Sequence, residues 1–396
     1  MKIPTLPQAQ TLRNSLPHLG AGTALAALGF VIVAGCGGGG GTVHSIPTQQ
    51  TVATPTIATT AAQNGAVIVT LTDSTSGATI YYTTDGTTPT NASAQYIAPF
   101  LVDANLTLKA IATNAPTYLN SQVASQTFSP NIASGTLVWS DEFTVTTTGS
   151  SAYVQPNPAT WTYDLGTDCC GNNELETYCA WNSSTGPCTP SSPNAYVGTD
   201  GYLHIVAQNP SASVYTSARL KSQGLFSFQY GRIEASILLP ESQGMWPAFW
   251  LLGNNITINP WPACGEADVM EHIDGSNPAM YVGGPAPGYD WTQSSIHGTS
   301  LNGGVPYTTT GFSAAAWHTY GMIWTKGQIQ YYIDSPTNIY ETFTTTSPGT
   351  GTWPFDQGPM FIILNLAVGG SWPGSPNSTT VFPSTMLVDY VRIYTN

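Results

Sequence analysis

Short runs in which apolar and polar residues alternate make up most of this 396-residue chain. Alternation with a period of two residues is typical of β-strands that bury one face. Between residues 51 and 130 the runs are AVIVTLT, ATIYYTTDG, LTLKAIAT and VASQTF, and turn residues such as Asp85 and Gly86 separate them. This pattern predicts a small antiparallel β-sandwich over residues 51–130.

A longer region of the same character covers residues 137–396. Its runs include YLHIVAQ, YGRIEASILL, MWPAFWLLG, HTYGMIWT, PMFIILNLAVGG and LVDYVRIYTN, and no amphipathic helical pattern interrupts them. So many strands in one domain must close into a barrel or stack as two sheets. We therefore predict an all-β chain with two domains.

Composition and charge limit the classes of partner that the chain can bind. The chain has 8 Lys+Arg against 21 Asp+Glu, a net charge of -13. A nucleic-acid surface needs clustered cations to neutralise phosphates, so we expect no nucleic-acid partner. Charged residues make up only 7% of the chain, which suits a secreted protein that acts on a neutral polymer.

The N-terminus predicts export. Lys2 and Arg13 precede the apolar run AGTALAALGFVIVAG, which is too short to span a bilayer comfortably and is typical of an export signal. Its end, VAGC, resembles the lipobox of bacterial lipoproteins, in which the cysteine is acylated. We predict a lipoprotein signal peptide over 1–35 and a lipid anchor in the membrane at Cys36. Ordinary signal cleavage near Ala34 is the alternative.

Either processing route places the protein outside the cytoplasm. The lipoprotein route predicts a cell-envelope location, at the outer membrane or cell surface, and the alternative predicts a secreted protein. Residues 36–50, which include CGGGGGTVHS, are expected to form a flexible Gly-rich tether.

The cysteines fit an oxidising compartment. Five cysteines remain apart from Cys36, and four of them cluster between 169 and 188. Such a cluster is typical of disulfides. None of the six His lies close to the cluster, which disfavours a zinc site. We predict a Cys179–Cys188 bridge and leave the pairing of the others open; they are Cys169, Cys170 and Cys264.

Three acids fall within the stretch GEADVMEHIDG. In a strand, Glu266 and Asp268 share one face, while the apolar residues between them point into the core. Strict alternation would bury Glu271, and a buried unpaired carboxylate is costly. One β-bulge at Val269–Met270 returns Glu271 to the face of the other two acids. The stretch therefore predicts a bulged strand with an acidic row.

This row suits retaining glycoside hydrolysis. Close like charges raise the pKa of at least one acid, so one carboxyl is protonated and one ionised near neutral pH. Retention needs the two groups about 5 to 5.5 Å apart. The two glutamates must then lean together, with Asp268 between them as a hydrogen-bond relay. The alternatives are a solvated acidic face and a calcium site, although calcium sites are usually oxygen-rich loops.

The motif E-x-D-x-x-E, preceded by GMWPAFWLLG, resembles the bulged laminarinase type of glycoside hydrolase family 16. Further matching pieces are DEF, GNNELETY, ARLKSQGLFSFQYGRIEASILLP, WHTYGMIWT, ILNLAVGGSWPG and VDYVRIY, so the likeness covers residues 137–396. It implies a β-jelly-roll sandwich whose concave sheet forms an open cleft for a polysaccharide. Ala267 departs from the family, which has a bulky aliphatic residue there.

A second resemblance concerns the small sandwich. IYYTTDGTTPT followed by LTLKAIAT is similar to the immunoglobulin-like module at the C-terminus of chitobiase and β-hexosaminidase. Such modules accompany many carbohydrate-active enzymes. Because the region shows no cluster of acids or histidines, we expect it to act as a spacer.

The resemblance to family 16 assigns roles to the acids. It implies Glu266 as nucleophile, Asp268 as its assistant and Glu271 as acid/base, with no cofactor required for catalysis. It also places Glu142 and Asp389 where the family often binds a structural calcium. The alternative for that pair is two ordinary strand-end carboxylates.

The cleft should offer flat apolar surfaces to sugars. Alternation puts Trp246 and Trp250 on one face of their strand and Phe249 with Leu251 on the other, so the two indoles are predicted sugar platforms. For the other predicted substrate-binding residues, which lie in matched segments, a structural role is the alternative; they are Asn173, Arg219, His297, Asn365 and Trp372.

The expected function is a monomeric, retaining endo-β-1,3-glucanase that acts on laminarin-like glucan. The same fold could cleave mixed-linkage glucan, galactan, agar or carrageenan, or transfer glycosyl groups, and the scarcity of Lys and Arg disfavours sulfated substrates. A non-catalytic glucan-binding protein would keep the tryptophans and lose one of the acids. A serine hydrolase is disfavoured, because GGSWP lacks the second glycine of a nucleophile elbow.

Overall fold

The computed structural model describes residues 49–145, 153–167, 171–274, 291–347 and 351–396. The first seven strands form two facing antiparallel sheets, ordered β1-β2-β5 and β4-β3-β6-β7. Their inward side chains, such as Val69, Leu71, Ile80 and Leu108, make one small core. The strands are β1 (Thr56–Ala61), β2 (Val67–Thr72), β3 (Thr79–Thr83), β4 (Ala94–Gln95), β5 (Phe100–Val102), β6 (Leu106–Thr113) and β7 (Ala124–Phe128).

The remaining strands build a much larger sandwich. One sheet has seven strands in the order β10-β16-β25-β18-β19-β20-β21, and the other has twelve strands around β14-β26-β17-β22-β23. The strands are β8 (Leu137–Asp141), β9 (Tyr153–Val154), β10 (Thr162–Tyr163), β11 (Gly166–Thr167), β12 (Glu176–Tyr178), β13 (Ala195–Gly198), β14 (Leu203–Ser211), β15 (Val214–Ser217), β16 (Arg219–Lys221), β17 (Gly231–Leu238), β18 (Met245–Gly253), β19 (Glu266–Glu271), β20 (Thr292–Gly298), β21 (Leu301–Tyr307), β22 (His318–Thr325), β23 (Gln328–Ile333), β24 (Ile339–Thr344), β25 (Met360–Val368) and β26 (Ser384–Tyr394).

The main core lies between these two sheets. Alternate residues of β17, such as Ile233 and Ile237, meet alternate residues of β25, such as Ile362 and Leu364, in one buried cluster. The opposite face of the seven-stranded sheet is therefore free to carry polar side chains. The predicted fold class, a jelly-roll sandwich preceded by a small immunoglobulin-like sandwich, is confirmed.

The small sandwich packs directly on the large one. The backbone N–H of Leu101 donates to the Ser227 carbonyl (2.9 Å), and the Ser227 hydroxyl donates to the Pro99 carbonyl (2.9 Å). Leu101 and Ala66 also join the core of the large sandwich. The expected spacer thus shares buried surface with its neighbour.

The Cys179–Cys188 disulfide is present as predicted, and Cys264 is a buried free thiol. Several predicted features lie outside the described residues. They are Cys36, Cys169, Cys170, the predicted signal peptide over 1–35 and most of the predicted tether over 36–50. Within the described ranges the only helical element is a 3-10 turn at Asn254–Thr257. No helix in this part of the chain is long and apolar enough to cross a membrane.

Candidate active site

The acidic row lies on β19, and the strand is bulged as predicted. Asp268 pairs with Trp250 of β18 and Met270 pairs with Phe249, which leaves Val269 without a partner residue. The extra residue returns Glu271 to the cleft face while Val269 and Met270 stay in the core. The predicted bulge is confirmed.

Hydroxyl groups on the core side of β20 support the bulge. Ser294 donates to the Val269 carbonyl (2.6 Å), and Thr292 donates to the Glu271 carbonyl (2.9 Å). The Tyr340 hydroxyl makes a short contact with Ser294. These bonds satisfy backbone groups that the interrupted ladder leaves exposed inside the sandwich. These hydrogen bonds were not predicted from the sequence.

The cleft faces of β19, β20 and β21 are in register. Each acid of β19 therefore has a fixed neighbour on β20 and another on β21. The three cross-strand rows are Glu266–His297–Asn302, Asp268–Ser295–Gly304 and Glu271–Gln293–Pro306.

A cavity of about 1050 Å³ lies over this face. Side chains from six consecutive strands, β16, β25, β18, β19, β20 and β21, line it. Because neighbouring strands lie about 4.8 Å apart, these six span roughly 24 Å. A cavity of this extent has room for several sugar rings of a polymer.

The two glutamates have different partners. Glu266 accepts a hydrogen bond from the Trp261 indole (3.0 Å) and lies 3.8 Å from the imidazole of His297. Glu271 accepts from the Trp246 indole (3.0 Å), and its other oxygen lies 3.2 Å from the Ser295 hydroxyl. Among the described residues, no ion pair includes Glu271. The cation of the site therefore lies beside Glu266.

Asp268 and His297 connect the two ends of the row. Asp268 is buried, and its Oδ2 lies 3.3 Å from His297 Nε2 and 2.6 Å from Ser295 Oγ. The other ring nitrogen of His297 lies 3.1 Å from the Asn302 amide oxygen. Burial disfavours the imidazolium, but the hydrogen bond and charge of Asp268, with the charge of Glu266, raise the pKa of His297 to about 10. The ring is therefore a cation at neutral pH.

Both glutamates hold protons more tightly than usual. Burial, followed by the charge of Asp268, raises the pKa of Glu266 to about 8, and the charge of His297 opposes the shift. The same two causes raise the pKa of Glu271 to about 8, against the charge of His297 and hydrogen bonds from Trp246 and Ser295. Such a pair can keep an acid protonated at neutral pH.

Metal binding does not fit these groups well. Ligand atoms of Glu266, Asp268 and His297 lie within 4.8 Å of one another, but His297 Nε2 already contacts Asp268 Oδ2 (3.3 Å) and Glu266 already accepts from the Trp261 indole (3.0 Å). Both oxygens of Glu142 accept hydrogen bonds from Arg392 (2.9 and 2.7 Å), so its charge is already neutralised. Asp389 lies half-buried on β26. The structure does not support calcium at Glu142.

Comparison with known proteins agrees with this site. The family profile of glycosyl hydrolases family 16 matches residues 183–392, and the profile of the chitobiase/beta-hexosaminidase C-terminal domain matches residues 58–125. The chain belongs to glycosyl hydrolases family 16.

Curated relatives of this family 16 chain include two glucanases. It is 34% identical over 288 residues to Glucan endo-1,3-beta-glucosidase A1 of Niallia circulans, which covers 67% of this chain and 38% of that protein. It is 36% identical over 269 residues to Beta-glucanase of Rhodothermus marinus, covering 65% of this chain and 84% of that protein. The chain thus spans well under half of one relative and most of the other.

A solved structure shows the same fold. The catalytic domain of an endo-1,3-beta-glucanase (laminarinase) from Thermotoga petrophila RKU-1 superposes with a TM-score of 0.55 at 31% identity. The match covers 67% of this chain and 99% of that one.

Most of the predicted site residues of this family 16 chain meet at the cavity. The Trp250 indole donates to the Asn365 amide oxygen (2.8 Å), and the guanidinium of Arg219 lies 4.4 Å from the centre of the Trp250 ring. Trp372 is largely buried and packs edge-on against Trp246 (5.2 Å). The cavity is lined by the three predicted catalytic acids and by Arg219, Trp246, Trp250, His297, Asn365 and Trp372.

Asn173 is the exception, and its prediction needs correction. It adopts a positive φ of 59°, and its amide donates to the Ser371 hydroxyl (2.8 Å) rather than lining the cavity. Its neighbours Asn172 and Glu174 line the cavity instead. Asn173 was predicted from a segment that matches the family rather than from alternation, and in this turn its side chain contacts Ser371.

Several residues at the site escaped the sequence analysis. Trp261 and Ser295 contact the catalytic row directly, and Asp164 pairs with Lys221 at the β16 end of the cavity. Ser295 could have been found from its position two residues before His297, on the same face of a strand. Trp261 lies outside any strand, so no periodicity indicates it.

Proposed function

We propose that this family 16 protein is a retaining endo-glycoside hydrolase that cleaves β-1,3-glucan. One observation carries the proposal: a bulged strand presents Glu266, Asp268 and Glu271 together at the floor of a long, tryptophan-lined cavity. A non-catalytic glucan-binding protein would have no need for all three acids.

In the first step, Glu266 acts as the nucleophile. One of its oxygens forms a bond to the anomeric carbon, and the bond from that carbon to the leaving oxygen breaks. The electron pair of the broken bond stays on the leaving oxygen, which takes the proton of Glu271. The ionised form of Glu266 must attack. His297 and the indole N–H of Trp261 favour that form, against the burial and the Asp268 charge that raise the pKa of Glu266 to about 8 in the free enzyme.

In the second step, the roles of Glu271 reverse. The Glu271 carboxylate takes a proton from water as the water oxygen attacks the anomeric carbon. The bond between that carbon and Glu266 breaks, and its electron pair returns to the Glu266 carboxylate. Two inversions leave the product with the configuration of the substrate.

The charges around the cavity support a neutral substrate. Three basic side chains line it in the described part of the chain, against five acidic ones, Asp164, Glu174, Glu266, Asp268 and Glu271. Arg219 and Lys221 both contact Asp164, and His297 contacts Asp268. A sulfated polymer would need cations with charge to spare. The choice of β-1,3 linkage is supported by the names of the laminarinases and glucanases that resemble this chain.

We further propose that the protein is exported as a cell-envelope lipoprotein anchored through Cys36 and works as a monomer. The support is the basic, apolar and VAGC order of the N-terminal sequence. Polysaccharides are too large to enter a cell intact, so an external location suits the proposed activity.

The test is to incubate the purified protein with laminarin, lichenan, agarose and carrageenan in turn. The release of reducing ends measures hydrolysis of each polysaccharide. We expect laminarin to be cleaved fastest, with oligosaccharides of mixed length early in the reaction. Glu266→Ala should reduce the rate at least a thousandfold, because it removes the nucleophile. A variant that degrades laminarin as fast as the parent would overturn the assignment.

A further inference from the structure

The hydroxyl of Ser295 lies between two acids of the row. Its oxygen is 2.6 Å from Asp268 Oδ2 and 3.2 Å from Glu271 Oε2. A serine hydroxyl has one hydrogen and two lone pairs, so it can donate to only one of them. The shorter distance is typical of an O–H donating to an ionised carboxylate. We therefore place the hydrogen on the side of Asp268. A Ser295 hydroxyl turned toward Glu271 would instead lower the pKa of that acid and leave the closer Asp268 oxygen without a hydrogen.

A lone pair of Ser295 then faces Glu271 Oε2. Two oxygens without a hydrogen between them repel each other, so this contact is favourable when Glu271 carries the proton and donates it to Ser295. The other oxygen of Glu271 already accepts from the Trp246 indole, which leaves Oε2 as the site for the proton. His297 Nε2 contacts the same Asp268 oxygen at 3.3 Å.

The other titratable groups around Glu271 do not replace this effect. Asp268 and Glu266 lie on its own strand, and His297 faces it from β20. Tyr331 of β23 lies behind the row and donates to the Ser295 carbonyl (2.8 Å). The adjacent His272 is neutral, because burial lowers its pKa to about 4.

We propose that Ser295 is a positioning residue that acts through Glu271, holding the transferable proton on Oε2 of the free enzyme. When that proton passes to the leaving oxygen, the Ser295 hydroxyl can rotate and donate to the Glu271 carboxylate until water returns a proton. This inference rests on the proposed function, and it requires the two-carboxylate reaction but no particular linkage.

The test compares Ser295→Ala with Ser295→Thr on the best polysaccharide substrate. Alanine removes the acceptor for the Glu271 proton, so the basic limb of the kcat/KM profile should move to lower pH by about one unit. This shift corresponds to an approximately tenfold loss of kcat/KM above the limb. Threonine keeps the hydroxyl, and Gly304 opposite Ser295 leaves space for its methyl group. It should restore the parent profile.

A second readout separates this role from a structural one. On a 2,4-dinitrophenyl β-glycoside, whose leaving group needs no proton, the first step of Ser295→Ala should lose less of the parent rate than the first step on the polysaccharide does. Loss of the bond to Asp268 acts on both substrates, whereas loss of the contact with Glu271 acts only on the polysaccharide. A limb that stays in place or moves to higher pH overturns the inference, as does an equal loss on both substrates or a failure of threonine to restore the profile. A parent inactive on every polysaccharide overturns the proposed function as well.

Discussion

Single hydrogen bonds influence the pKa of the nucleophile Glu266. The bond from the Trp261 indole can be tested by one substitution. The indole donates to Glu266 Oε2 at 3.0 Å, although the ring is 56% exposed. Trp261→Phe keeps the ring and removes the donor to the carboxylate. The pKa of Glu266 should therefore rise further, and the acid limb of the kcat/KM profile should move to higher pH. At pH 5 we expect kcat/KM on laminarin to fall about tenfold, because hydrogen bonds to charged groups contribute about 1.5 kcal/mol.

Trp317→Phe is the matched control for that variant. Trp317 is also exposed, at 38%, but it packs against Tyr202 away from the cavity, so its loss should leave the profile unchanged. Superimposable profiles for Trp261→Phe and the parent would show that the indole hydrogen bond has no influence on the nucleophile.

Sequence alone reaches far at the residue scale where a strand is involved. The faces of Trp246, Trp250, Glu266 and Asp268 follow from alternation, and the structure places them as predicted. Turns follow no such rule, so Trp261 was missed, and the family match placed Asn173 wrongly. Their positions depend on contacts between distant segments, which one sequence without coordinates does not reveal.

The bulge keeps Glu271 on the same face as Glu266 and Asp268 and sets its distance from Glu266 along the strand. Deleting Val269 would leave Asp268 paired with Trp250 and Met270 with Phe249, so the ladder would become regular. The acids would stay on one face, but the distance between Glu266 and Glu271 along the strand would shorten. We expect activity on laminarin to fall about a hundredfold, as displacements of about 1 Å in an active site can do. The measurement is kcat/KM together with circular dichroism.

Val269→Ala is the control, because it removes most of the same buried side chain and keeps the bulge. It should lower the melting temperature while most of the activity remains. If the deletion variant folds and cleaves laminarin like this control, the bulge has no catalytic role.

The bulge itself could be predicted because burying Glu271 without a partner would be costly. The hydrogen bonds that support the bulge could not be predicted. Ser294 and Thr292 bond the carbonyls of Val269 and Glu271 only because β20 pairs with β19 in a particular register. A single sequence predicts strands more readily than it predicts which strands become neighbours.

At the scale of the whole molecule, the raised pKa values predict how stability depends on pH. Glu266 and Glu271 have folded pKa values of about 8, above the usual value of about 4.3. Their protonated forms therefore contribute stability that is complete below about pH 4.3 and is lost as pH rises through 8. Buried Glu176 behaves alike, because burial raises its pKa to about 8. His297, with a pKa of about 10, adds a loss between about pH 6.5 and 10.

The melting temperature should accordingly fall from pH 5 to pH 9, as calorimetry can show. Glu266→Gln removes one of the titrating groups and should make the fall smaller. Asp85→Asn, at an exposed turn of the small sandwich, is the control, because hydrogen bonds from Thr87 hold the pKa of Asp85 below its usual value and the curve should therefore run parallel to that of the parent above pH 5. A melting temperature that rises over this range, or a Glu266→Gln curve parallel to the parent curve, would contradict the assignment of buried, protonated acids.

The stereochemistry of the first product tests the central claim most directly. Proton NMR can follow the anomers released from a β-1,3-linked oligosaccharide before they interconvert. A double displacement through Glu266 and Glu271 predicts that the β-anomer appears first and the α-anomer only later, by mutarotation. Initial release of the α-anomer would mean a single displacement by water, and the two carboxylates would not act as described.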